Sequence, residues 1–202
     1  MNRVYLWGWG CVLVFTIAVF ASMPAMAGEP TEKIRVTTDK IIGIVSNPAL
    51  KGAEKAAERR RLIRKAVDER FDWEEMSRRT LARHWQKRTI EEKTMFIDLY
   101  GKLLEQTYLD RVEGYSGEKV LYESERVDGE YSVVKVKILT KQETEISTEY
   151  RLKKNAGDWL VYDISVEGVS LINNYRTQFN SIIIRSSYKD LIKKLKTKVE
   201  KQ

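Results

Sequence analysis

The sequence predicts an α+β fold: a four-stranded antiparallel sheet with helices packed on one face, a helical N-terminal half and a helical C-terminus. Three observations predict it. Apolar residues recur at helical spacing from about residue 30 to 115, alternate with polar ones at a period of two from 118 to 167, and return to helical spacing from 169 to 200. Strands grouped together and helices grouped together are the mark of segregated layers. Consecutive strands joined by short turns pair as an antiparallel meander.

Residues 1–27 read as a signal peptide, outside the fold. Arg3 precedes an apolar run from Val4 to Phe20, and Ala25-Met26-Ala27 supplies the small residues at which such leaders are cut. Cys11, the one cysteine, lies inside that run. Residues 28–202 are therefore expected to form a single exported domain held by packing, without disulfides. The formal net charge is +7, from 36 basic and 29 acidic residues. For an exported chain this excess suits anionic head groups or acidic protein surfaces, and it equally serves plain solubility; nucleic acid is not an expected partner.

The helices follow in order. "TEKIRVTTDKIIGIVSN" sets Ile34, Ile41, Ile42 and Val45 near one face and ends at Asn47-Pro48. A second helix, about Gly52 to Arg70, turns Leu62, Ile63, Ala66 and Val67 inward. Asp72 caps a third, "DWEEMSRRTLARHW", with Glu75 at capping-box spacing. The fourth opens at Thr89, has Glu92 three residues on, and runs to about Glu113 with Phe96, Leu99, Tyr100, Leu103, Leu104 and Tyr108 as its apolar set.

Strands are expected over 118–127, 130–140, 143–154 and 158–167, with Asp128-Gly129 and "NAGD" marking tight turns. Val134, Val136 and Ile138 share one face of the second. Ile146, Tyr150 and Leu152 do so in the third, and Leu160, Tyr162, Ile164 and Val166 in the fourth. Lys135, Lys137, Glu145, Glu149, Arg151 and Asp163 occupy the opposite face, so one side is wet and the other must be covered. Gly168 is assigned to backbone geometry. It turns the chain into a helix over about 169–185 that folds back over the apolar sheet face, and a lysine-rich helix over 187–200 follows.

Catalytic chemistry is hard to place. There is no Gly-x-Ser-x-Gly elbow and no Gly-rich phosphate loop. His84, the one histidine, sits beside Trp85 and reads as a surface or interface residue. A zinc site would need mostly carboxylates, so neither metal nor cofactor is expected. Asp163 and Glu167 share strand parity and are the one carboxylate pair to name, with solvent-facing or turn roles the plainer reading. The chain is expected not to be an enzyme. A small enzyme using that pair, and an adapter docking through its basic segment Lys189 to Lys201, stay open as alternatives. The inward aromatic residues suit a filled core or a ligand pocket alike, and periodicity does not separate the two.

Three stretches carry a resemblance: "FDWEEMSRRTLARHW" (71–85), "LLEQTYLDRVEGY" (103–115) and "VYDISVEGVSLINNYRTQF" (161–179). In order and spacing they resemble the MlaC family of periplasmic phospholipid-transport proteins, also called the toluene-tolerance auxiliary family. Small departures are Trp73 where the family often has Phe, and Thr80 and Ala82 where Ala and Gly are more usual. The resemblance implies a curved, NTF2/cystatin-like sheet and a soluble periplasmic carrier that buries the tails of a glycerophospholipid between sheet and helices. Such a carrier shuttles between an inner-membrane ABC transporter complex and an outer-membrane lipoprotein–porin complex, maintaining outer-membrane lipid asymmetry. Transient contact with a membrane surface is implied too. On that reading the tails are lined by Val134, Val136, Ile138, Ile146, Tyr150, Tyr162 and Ile164 from the sheet, and by Phe96, Tyr100, Leu103, Tyr108, Leu171, Tyr175 and Phe179 from helices.

Overall fold

The computed structural model describes residues 28–200, and the expected signal peptide lies outside them. Helix α1 (Glu29–Ser46) starts with Pro30 in its first turn and with Glu29 and Glu32 at the positive end of its dipole. It stops at Asn47, whose side chain accepts from the Ala49 N–H at 2.9 Å and opens the 3-10 turn Pro48–Leu50. Helix α2 (Ala56–Asp68) begins later than its periodicity suggests, because Gly52 takes φ 100° and a 3-10 turn, Ala53–Lys55, comes first.

Both predicted caps form. Asp72 accepts from the Glu75 N–H at 2.9 Å at the head of α3 (Trp73–Leu81). Thr89 and Glu92 make the reciprocal pair at the head of α4 (Ile90–Glu113), at 3.2 and 3.0 Å. The third helix does not run on to Trp85 as one unit. It breaks at Ala82, φ 46°, and continues as the 3-10 segment Ala82–Lys87.

The fold is α+β. Strands β1 (Lys119–Asp128), β2 (Tyr131–Leu139), β3 (Glu145–Asn155) and β4 (Asp158–Val166) pair antiparallel in chain order. A short fifth strand, β5 (Val169–Ser170), pairs with the end of β4, so the sheet has five strands where four were expected. The turn between them needs two left-handed residues, Glu167 (φ 49°) and Gly168 (φ 77°). Gly168 thus serves backbone geometry, but in a hairpin that precedes the helix. Ser170 then caps α5 (Leu171–Arg185) by accepting from the Asn173 N–H at 3.1 Å, and α6 (Tyr188–Glu200) follows.

A bulge rearranges β4. Arg151 pairs with Asp163 while Leu152 pairs with Val161, which leaves Tyr162 as an extra residue. The expected single face Leu160, Tyr162, Ile164 and Val166 is split there. Ile164 stays with Tyr150 and Val134, whereas Val161 and Trp159 take over the inner face beyond the bulge. The free edge of β4 is capped at that point by Phe71, bridged parallel to Val161 through the Asp72 N–H (2.9 Å) and the Arg70 carbonyl (2.8 Å).

Two apolar cores result. One lies among α3, α4, α5 and α6; the other joins α1 to the sheet, and Phe71 touches both. The helix on the apolar sheet face is α1, in contact with β1, β2 and β4. Helix α5 instead packs on α3, α6 and β4, so it does not fold back over that face as expected. The reason is local. Buried Asp163, on the opposite side of β4, accepts from the Ser170 hydroxyl (2.6 Å) and the Ile172 N–H (3.1 Å) and fixes where α5 starts.

Candidate functional site

The apolar sheet face is built from cross-strand rows. Val134 pairs with Tyr150 and Tyr150 with Ile164, while Val136 sits between Tyr122 and Thr148. With Val120, Leu152, Trp159, Val161 and Ile34 of α1 they form one cluster. Four strands about 4.8 Å apart present a face roughly 19 Å wide. A helix with its side chains is only about 10–12 Å across. Helix α1 therefore cannot cover the face alone, and Val120, Tyr122, Ile138, Ile146, Tyr150 and Ile164 are each half-buried.

Polar contacts hold α1 in place on both sides of the sheet. On the β1 side, Glu125 accepts from the Thr31 N–H (2.8 Å) and hydroxyl (2.6 Å). On the β4 side, Lys33 pairs with Asp158 at 2.8 Å, and the Trp159 indole donates to Glu29 at 3.2 Å. Asp158 also meets Arg70 at 3.2 Å. Burial opposes its ionisation, but Lys33, the Trp159 N–H and Arg70 outweigh that and hold its carboxyl below the usual range.

Two tyrosines bring hydroxyls onto the face, within its apolar rows. The Tyr122 hydroxyl is buried with no hydrogen-bond partner among the described residues; Thr38 of α1 approaches it without reaching bonding geometry. The Arg35 guanidinium lies 4.2 Å from the Tyr122 ring centre. Burial, with the neighbouring Tyr122, pushes the Tyr150 phenol up to about 12. Ser132, 2% exposed on the same face, likewise has an unpartnered hydroxyl.

The candidate lining residues separate accordingly. Val134, Val136, Tyr150 and Ile164 come together on the sheet face. Ile138 and Ile146 pair with each other near the far ends of their strands, outside both clusters, as is Leu171. Tyr162, the bulge residue, is turned toward the helices: it packs against their core, meets Tyr131 edge-on at 6.1 Å and lies under Arg79 at 4.0 Å. Phe96, Tyr100, Leu103, Tyr175 and Phe179 belong to the helical core, with Tyr108 against it. That core is filled. Phe96 and Tyr100 are 0% exposed, and the rings of Phe96, Tyr100, Tyr175 and Phe179 contact one another at 5.5–5.8 Å. Burial raises the Tyr100 phenol far above its ordinary pKa, against an opposing hydrogen bond from Thr80.

Sequence reasoning missed Val120, Tyr122, Trp159 and Val161. Alternation in β1 could have named the first two; the others required knowledge of the bulge. The remaining chemical candidates have structural partners. His84 Nε2 lies 2.9 Å from Asn180 Oδ1, which also accepts from Arg83, so that nitrogen donates and ties the 3-10 segment to α5. Asp163 is committed to the start of α5. Glu167, in the turn, accepts from the Ser147 N–H and returns its own N–H to the Ser147 carbonyl at 2.8 Å. On the wet face, a shallow cavity of about 190 Å³ is lined by Lys135, Ser147, Glu149, Arg151, Ser165 and Gly168. Its charges of both signs suit water better than an apolar ligand.

The chain is thus an α+β domain whose apolar sheet face is wider than the helix lying on it. Residues 35–197 match the model of the family described as MlaC protein, and the chain belongs to that family. A Haemophilus influenzae relative, the "Intermembrane phospholipid transport system binding protein MlaC", is 22% identical over 202 residues, spanning 96% of this chain and 94% of its own. The fold is also similar to that of a phospholipid-binding protein from Ralstonia solanacearum, solved in complex with a phospholipid. The TM-score is 0.76 at 22% identity, over 86% of this chain and 98% of that one.

Proposed function

We propose that this chain is a periplasmic phospholipid carrier. It takes up glycerophospholipid with the acyl tails against the sheet face formed by Val134, Val136, Tyr150 and Ile164, and exchanges it between an inner-membrane ABC transporter complex and an outer-membrane lipoprotein–porin complex. Its role is to maintain outer-membrane lipid asymmetry. The observation that carries the reading is the sheet face wider than α1; family membership supports the ligand class. The helical aromatic set packs beside the sheet, next to β4, instead of touching the tails.

Magnitudes favour a carrier. At about 0.8 kcal/mol per buried methylene, a tail of roughly sixteen carbons costs on the order of 12 kcal/mol to expose to water. A dry apolar seat cancels most of that, so loading and unloading lie near balance and the partners set direction. Lys189, Lys193, Lys194, Lys196 and Lys198, exposed on α6, suit a brief approach to an anionic surface. No catalytic group is needed, and Asp163 and Glu167 hold backbone.

Vesicle uptake tests the proposal. Delipidated protein mixed with phosphatidylglycerol or phosphatidylethanolamine vesicles, then separated by flotation, should leave with stoichiometric phospholipid. Protein that stays folded and leaves without lipid from either vesicle contradicts it.

A further inference from the structure

A seat for hydrocarbon alone would be lined by hydrocarbon alone, since a buried hydroxyl with no acceptor costs free energy that a methyl group does not. The sheet face departs from that rule at Ser132 and again at a pair of tyrosines. Tyr122 and Tyr150 both stand on it, two residues apart in register across β2: Tyr122 opposite Val136, Tyr150 opposite Val134. The Tyr122 hydroxyl is buried and, among the described residues, has no bonded partner, with Thr38 the polar side chain beside it. Arg35 of α1 brings a guanidinium to the Tyr122 ring; Glu32 lies 3.4 Å from it with more than half of its side chain exposed, and Asp39 is a second acid near Tyr122. Two tyrosines and a cation thus stand together on the face, with Leu152 in the row before them and Val120, Ile138 and Ile146 in the row beyond.

A glycerophospholipid is apolar along its tails, carries carbonyl acceptors at the ester linkages, and is anionic at the phosphate beyond them. Apolar side chains, phenol hydroxyls and a guanidinium, neighbours on this face, offer a partner to each of those groups. We infer that Tyr122 and Tyr150 donate to the ester carbonyls of the lipid while Arg35 meets its phosphate, so that this cluster fixes how far the tails enter. The inference rests on the carrier reading and deepens it. It assigns specificity for ester-linked lipid over lipid lacking the carbonyls, because an ether oxygen is the poorer acceptor and leaves the buried donors unmatched.

The test compares diester phosphatidylglycerol, its diether analogue and diacylglycerol as vesicle guests for delipidated protein. Wild type should take the diester about five- to tenfold better than the diether, the worth of one or two hydrogen bonds. The double variant Y122F/Y150F keeps both rings and removes both hydroxyls. It should melt no lower than wild type and lose the diester preference, diester uptake falling to the level of the diether. R35Q should weaken phosphatidylglycerol and leave diacylglycerol unaffected. A double variant that retains the full diester preference, or that loses diester and diether equally, overturns the inference. Soluble glycerol 3-phosphate should not compete; competition would mean a free phosphate site and would also overturn it. Failure of wild type to take any of the three lipids refutes the carrier reading itself, a distinct result.

Discussion

Ile164→Asp should reduce phospholipid uptake at least tenfold while the domain stays folded. Ile164 is half-buried on β4, in register with Tyr150 and through it with Val134. In the lipid-free protein water reaches a carboxylate there. With acyl chains in place the same carboxylate must be stripped of water with no cation opposite it, or be protonated, and either route opposes loading. Tenfold corresponds to about 1.4 kcal/mol, well below the cost of an unpaired buried charge. Ile164→Leu conserves volume and polarity and should load normally. Circular dichroism reports folding and vesicle uptake reports loading. Unchanged uptake by the Asp variant would mean that the tails lie elsewhere.

Phe96→Ala should have the opposite signature. Phe96 is 0% exposed and packs against Tyr100 at 5.6 Å and Phe179 at 5.8 Å. Truncation leaves a cavity in a filled core and should cost about 3–5 kcal/mol of stability. For a domain of this size that lowers the melting temperature by roughly 6–20 °C. At a temperature where the variant remains folded, lipid uptake per folded molecule should be unchanged. Normal stability with lost uptake would place the helical aromatic residues in the lipid seat and contradict the division into two cores.

The two variants probe a distinction that periodicity could not make. Phe96, Tyr100, Tyr175 and Phe179 recur at helical spacing whether they meet each other or a ligand, so the sequence shows which way they face but not what they touch. Features governed by adjacent residues were legible. Asp72 and Thr89 each have a glutamate three residues on, and both caps form. Features that depend on cross-strand register were not. In "WLVYDISV" both parities are apolar at the start, so nothing in the alternation reveals that Tyr162 is extra and that Trp159 and Val161 replace it on the inner face. The break at Ala82 was equally hidden, because no Gly or Pro marks it. That α1 covers the sheet follows from long-range contacts such as Thr31 to Glu125 and Lys33 to Asp158, which local pattern cannot encode.

The central claim is that the half-covered sheet face holds lipid. Intact mass measurement of the protein, purified without detergent and sprayed from a native buffer, tests it most directly. The account predicts a population heavier than the polypeptide by the mass of a diacyl phospholipid, released by organic solvent and absent from Ile164→Asp. A single species at the polypeptide mass, both before and after incubation with phospholipid vesicles, would contradict it.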